Sequence, residues 1–190
     1  MGYKFAEEKA EKLERSVRYT DYRPKQRLKY AGVQEGDRVL DVGSGTGFYT
    51  RAAAQVVHET GYVVGVDILK GMIDKAISLG VPENVEYRQS EESGFPVEDN
   101  EFDWVIMTNL FHELHEPDTF IREITRVLKP GGRVYTTDWI PMEQDDGPPE
   151  HHRVAKSVAL KVFQRHGFTV ESDAELNNSH YELVLKYEGA

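Results

Sequence analysis

Cysteine is absent from all 190 residues. That excludes a disulfide framework and any zinc site built on thiolates, and it leaves no protein thiol for thiol-relayed chemistry. Long apolar runs are missing too. The longest fall far short of the roughly 20 residues a membrane-spanning helix needs, and no basic-then-apolar leader opens the chain, so a cytoplasmic protein without membrane insertion is expected. Basic charge is in deficit. Lys and Arg number 23 against 33 Asp and Glu, a net charge of −10, and a field of that sign disfavours nucleic-acid partners. No internal repeat or low-complexity segment stands out. What is present, 39% hydrophobic residues, suffices for the core of one domain, residues 1–190.

The most informative stretch is Val39-Leu40-Asp41-Val42-Gly43-Ser44-Gly45-Thr46-Gly47-Phe48. An apolar run into Asp41-Val42 reads as a buried strand, the alternate glycines as a tight turn, and the residues after Gly47 as a helix start. Glycine suits such a junction because a side chain would keep the backbone away from a ligand. The dinucleotide fingerprint G-x-G-x-x-G needs a third glycine where this chain has Phe48, which argues against a nicotinamide-dependent dehydrogenase.

In chain order, a thin apolar stripe predicts an N-terminal helix over Tyr3–Arg15. The aromatic and charged segment Arg18–Pro24 is either a surface connector or a lid, and a helix runs from Pro24 to Ala31. Strand Arg38–Val42 leads through the glycines to a helix over Gly47–His58. A second strand, Tyr62–Asp67, ends in an acid. A helix over Lys70–Leu79, a strand over Asn84–Gln89 and a strand over Phe102–Met107 come next. Pro117 opens a helix that stops at a Lys129-Pro130-Gly131-Gly132 turn before a strand over Val134–Asp138. Met142–Glu150 is an exposed acidic loop. Pro149-Glu150 starts a helix reaching Gly167, and Phe168–Ser172 and Tyr181–Tyr187 close the chain as strands.

From about Val33 to Tyr187 this order resembles class I S-adenosylmethionine-dependent methyltransferases, most closely the ubiquinone/menaquinone-biosynthesis type. The carriers are the Gly43–Gly47 loop, Asp67, the Phe102-Asp103 strand entry and the Leu128-Lys129-Pro130-Gly131-Gly132 run. The resemblance implies a Rossmann-like, doubly wound α/β sheet of seven mostly parallel strands in the order 3-2-1-4-5-7-6. It implies an antiparallel C-terminal strand and N-terminal helices over the cofactor cleft, with residues 1–32 a lid and 33–190 the core. It also implies S-adenosyl-L-methionine as cofactor, held by Asp41, Gly43, Ser44, Gly45, Thr46, Gly47, Asp67, Ile68, Met72, Ser90, Glu91, Glu92 and Asn109. Glu91 stands where the family usually has an aspartate facing adenine.

The implied reaction is methyl transfer to a small-molecule acceptor by direct in-line displacement. His112 is the candidate base, with Tyr19, Tyr22, Asp138 and Trp139 as candidate pocket residues. Blander readings stand beside these. Asp67 also suits a helix N-cap, His112 a structural hydrogen bond, and Trp139 core packing. A metal reading of His112, His115, His151 and His152 lacks chelating spacing, so no metal is expected. A catalytically inactive, methyltransferase-like cofactor-binding or scaffold protein is the alternative function. The acceptor's identity and the oligomeric state are not written in the sequence.

Overall fold

The apolar runs of β1 (Arg38–Val42), β2 (Tyr62–Asp67) and β4 (Phe102–Thr108) are almost uninterrupted because both faces of these strands are covered. In the computed structural model, residues 22–143 and 147–189 are described. The expected Tyr3–Arg15 helix and Tyr19 lie outside them. Seven strands form one sheet in the order β3-β2-β1-β4-β5-β7-β6, as expected, adding β3 (Val85–Gln89), β5 (Leu128–Trp139), β6 (Phe168–Asn177) and β7 (His180–Tyr187). β1 to β5 pair in parallel, and β7 runs antiparallel to both β5 and β6. The carboxyl ends of the five parallel strands therefore meet at one edge, with the start of β7 beside the end of β5.

Alternation along each strand divides the core in two. Val39, Val63, Trp104, Ile106 and Tyr135 pack with Leu28 of α1 (Pro24–Ala31) and with the apolar face of α2 (Phe48–Val57). Leu40, Val42, Val64, Val66, Val105 and Met107 face the other way. There they meet Phe120, Ile121, Ile124 and Val127 of α4 (Pro117–Val127) and Ala159, Val162 and Phe163 of α5 (Lys156–Arg165). Helix α3 (Lys70–Ser78) packs on β2 and β3.

Three local expectations change. Lys129-Pro130-Gly131-Gly132 does not separate helix from strand. Leu128 already pairs with Phe102, the next pair is Trp104 with Arg133, and the residues between bulge out, with Gly131 at φ +79°. Lys129 Nζ donates to Asp103 Oδ1 at 2.7 Å, and the Arg38 N–H donates to Asp103 Oδ2 at 2.9 Å, tying the bulge to the start of β1.

The helix expected from Pro149 is broken: Glu150–His152 forms a 3-10 turn and α5 begins only at Lys156. Arg153, in the break, is buried and donates backward to Pro148 O at 2.9 Å and Met142 O at 2.8 Å, contacts that hold its backbone extended. β6 continues to Asn177, past the expected Ser172, because its backbone stays paired with β7 as far as Asn177 with His180; residues 171–175 are an exposed edge without the apolar alternation that marks a strand in sequence.

Candidate active site

β1 delivers the chain into the glycine loop with Asp41 buried at its end. The Thr50 hydroxyl, in the first turn of α2, donates to Asp41 Oδ2 at 2.6 Å. The Asp41 carboxyl is raised to about 7, chiefly by burial, with the Thr50 hydrogen bond lowering it and the nearby Asp67 charge raising it. Gly43 and Gly47 take positive φ of +66° and +82°. A Cβ at Gly43 would lie 2.9 Å from the Leu110 side chain, and one at Gly47 would lie 2.1 Å from the Tyr87 hydroxyl. Only glycine fits these two positions. The Ser44 N–H donates to Val66 O at 2.9 Å, binding the loop to β2, and α2 starts at Gly47 without a side-chain cap. An uncapped helix start favours an anionic group.

Asp67 occupies the end of β2 and reaches two ways. Its Oδ2 accepts from the Gly45 N–H at 2.8 Å and its Oδ1 from the Leu69 N–H at 2.9 Å. It thus fixes the glycine loop and also shapes the turn into α3 without capping that helix, whose N-cap is Leu69 with no side-chain cap hydrogen bond. Each carboxylate oxygen keeps further acceptor capacity. The Ser90 N–H donates to Asp67 O at 3.0 Å, bringing the end of β3 alongside. Ile68 O accepts from Gln89 Nε2 at 3.1 Å, and Met72 is buried on α3.

Beyond β3, Glu91 is exposed and bridged through its backbone to Gly94, beside a shallow groove lined with Gln89, Ser90, Phe95 and Pro96. Glu92 accepts from the His115 N–H at 2.9 Å and lies 3.2 Å from His115 Nδ1. Its carboxylate therefore latches the post-β3 loop to the segment after β4.

At the other end of the crevice Asn109 comes just after β4 at φ +53°, a left-handed conformation uncommon outside glycine. Its N–H donates to Thr137 O at 2.8 Å, while its Oδ1 is buried with no hydrogen-bond partner. His112 sits in the 3-10 turn Phe111–Glu113 with its side chain 3% exposed, and its Nδ1 lies 2.7 Å from Asp138 Oδ1. Burial lowers its pKa, but the Asp138 hydrogen bond and charge, helped by Glu113 and opposed by Arg153, raise it overall.

Asp138, expected to line the pocket, is instead wholly buried behind His112. Its neighbour Trp139 points to the opposite sheet face. The Trp139 ring lies 3.9 Å from the His180 ring, the Arg153 guanidinium stands 4.9 Å from its centroid, and Gly147 packs so closely that a Cβ there would fall 2.6 Å from the indole. Tyr22 OH is 3.3 Å from His180 Nε2.

The structure thus brings Asp41, Ser44, Asp67, Ser90, Asn109, His112 and Trp139 to one sheet edge, turns Glu92 onto His115 and leaves Glu91 exposed. Sequence patterns do not single out His180 or Arg153. The signal for His180 is the antiparallel last strand, whose first residue must lie beside the end of β5. Nothing local marks Arg153. His151 and His152 occupy a short turn with ring centroids 4.4 Å apart. Among the described residues no group of three or more His, Asp or Glu side chains is placed to hold a metal ion.

The residues fit the cofactor that the glycine loop implies. The cradle at Gly43 and Gly47 admits no side chain, and Ser44 Oγ and Asn109 Oδ1 are buried polar atoms without protein partners.

Residues 40–136 match the family described as Methyltransferase domain. The chain is 40% identical over 117 residues to the ubiquinone/menaquinone biosynthesis C-methyltransferase UbiE of Pseudomonas savastanoi pv. phaseolicola, covering 59% of this chain and 45% of that protein. The protein of that name from Saccharophagus degradans is 32% identical over 155 residues, covering 78% and 59%. The chain spans about half the length of these relatives. A SAM-dependent methyltransferase from Aquifex aeolicus is similar in structure, with a TM-score of 0.91 at 34% identity, covering 97% of this chain and 100% of that one. The family match spans the glycine loop and the strand ends that form the crevice, and the structural likeness runs end to end, so this chain belongs to the class I S-adenosylmethionine-dependent methyltransferase family.

Proposed function

We propose that the chain transfers a methyl group from S-adenosyl-L-methionine to a small-molecule acceptor. The observation that carries this is the Asp67 carboxylate, held 2.8 Å from the Gly45 N–H at the ends of adjacent strands β2 and β1. Asp67 would accept from ribose hydroxyls. Gly43–Gly47, Ser44 and Asn109 would hold the amino-acid end, and Ser90 with the Glu91 backbone would meet adenine. The cofactor, when bound, supplies an electrophilic methyl on a sulfonium. The protein's part is then to orient the acceptor, exclude water and, where the acceptor needs it, take a proton.

A small organic acceptor is supported by the names of the relatives and by a net charge of −10, which works against nucleic acid. A cytoplasmic setting belongs to the same proposal. Among the described residues no helix is long and apolar enough to cross a membrane. Strained Asn109 with its orphaned buried oxygen supports cofactor binding, a property that an inactive cofactor-binding scaffold would share, so turnover is what separates the two.

Calorimetry with S-adenosylhomocysteine is the direct test of binding, with saturable uptake expected and its absence at millimolar ligand rejecting the proposal. Incubating a metabolite extract with methyl-labelled cofactor and reading the products by mass spectrometry tests transfer. Binding without any labelled product would favour the scaffold.

A further inference from the structure

Among the described residues, Asp138 makes its hydrogen bonds to His112 and to the N–H of its own neighbour Trp139. Its Oδ1 lies 2.7 Å from His112 Nδ1 and accepts from the Trp139 N–H at 2.7 Å, while its Oδ2 accepts from the His112 backbone N–H at 3.1 Å. A wholly buried carboxylate is costly unless it is fully bonded, and here its bonds fix both the ring and the backbone of one residue. A carboxylate only accepts, so the ring proton sits on Nδ1 and the lone pair on Nε2. Nε2 is 3.8 Å from Glu113 Oε1, beyond hydrogen-bond reach.

Among the described residues, the other groups facing this pair come from three elements. Glu113 lies on the same turn, Arg153 approaches from the segment before α5, and Tyr181 of β7 stands opposite Asp138 in the ladder. The Tyr181 hydroxyl is buried without a partner, and burial together with the Asp138 charge keeps it neutral. Glu113 and Asp138 thus stand against one guanidinium, a balance that favours a positive imidazole.

We propose that Asp138 is a positioning residue that fixes His112 as a general base, and that the acceptor is accordingly one whose nucleophilic atom must lose a proton, such as a phenol or enol, rather than an uncharged amine. This rests on the methyltransferase function proposed for the chain. The acceptor O–H gives its proton to Nε2, and the electron pair so released, on oxygen or on the carbon conjugated with it, bonds the methyl carbon as the carbon–sulfur pair returns to sulfur. The imidazolium formed stands against the Asp138 carboxylate.

Nitrogen-15 NMR of histidine-labelled protein without cofactor reads the tautomer, and a proton on Nδ1 of His112 is expected. Methyl transfer from labelled cofactor to phenol, 4-nitrophenol and aniline, an amine uncharged near pH 8, then compares wild type with Asp138→Asn and His112→Gln. Asparagine at 138 sets an amide N–H against a backbone N–H whichever way it turns, so His112→Gln is the variant that keeps the comparison if the first misfolds.

Both variants should bind S-adenosylhomocysteine as wild type does. They should lose about 10²–10³-fold in turnover on phenol but under about tenfold on 4-nitrophenol, largely ionised near pH 8, with the phenol loss shrinking as pH rises. A neutral His112 ring with its proton on Nε2 in the wild type, equal losses on both phenols, or transfer to aniline alone overturns the proposal. The tautomer decides even if none of the three is accepted. Failure of the wild type to bind S-adenosylhomocysteine would overturn the methyltransferase function instead.

Discussion

The two ends of the crevice are built from different materials. At the ends of β1 and β2 the contacts are backbone amides and glycines with two carboxyl groups, and Asp41 to Asp67 supply nearly all of them. At the ends of β4, β5 and β7 the contacts are side chains drawn from Tyr22 to His180, across most of the chain. A site made of backbone tolerates little change in its shape. A site made of side chains can be altered one residue at a time while the fold stands, which suits a half that must recognise an acceptor.

The sharpest way to probe the backbone half is through its buried acid. Asp41 has its carboxyl raised to about 7 in the folded chain against 3.8 when exposed, so between those values the folded state holds a proton that the unfolded state has lost. Stability therefore falls as pH rises through that window and levels above it, by up to about 4 kcal/mol from this group. Asp41→Asn keeps an acceptor for Thr50 and should flatten that part of the profile, measured as urea unfolding between about pH 4 and pH 8. A profile identical to wild type would remove the buried-acid account.

Gly47→Ala should come next in size. The positive φ and the close Tyr87 hydroxyl together cost about 3 kcal/mol by urea titration, with cofactor affinity falling alongside. Asp67→Ala removes the acceptor of both the Gly45 and Leu69 amides, and about a hundredfold weaker S-adenosylhomocysteine binding is expected by calorimetry.

In the side-chain half, Arg153→Met frees Pro148 O and Met142 O and removes the cation beside Trp139. About 1–2 kcal/mol of stability should go while cofactor affinity is kept. A loss of affinity there would mean the halves are coupled. The smallest effect is set for Glu91→Ala: with the side chain exposed and the N–H given to Gly94 O, affinity should change under about threefold. A larger loss would assign adenine recognition to the carboxylate rather than to the backbone.

Legibility in the sequence divides along the same line. Strand ends at Val42 and Asp67 and the start of α2 could be read because glycine spacing, apolar runs and a terminal acid are local signals, whereas the sheet order came from the resemblance to the methyltransferase family that those signals carry. The bulge at residues 129–132 could not, since a Pro-Gly-Gly run marks a break in regular backbone without saying whether a strand resumes its register. Nor could the break before α5, which is held by Arg153 hydrogen bonds to a loop up to 11 residues earlier.

The sequence by itself determined the parallel sheet, the glycine turn at the end of β1 and the acid at the end of β2, because each depends on residues within a few positions of one another. Only the tertiary structure decided that Asp138 lies buried behind His112, that Glu92 latches His115, and that His180 stacks on Trp139. The physical reason is distance along the chain: 26, 23 and 41 residues separate these partners (138 − 112, 115 − 92 and 180 − 139), and only the register of the sheet and the loops at the ends of β3, β4, β5 and β7 bring them within contact.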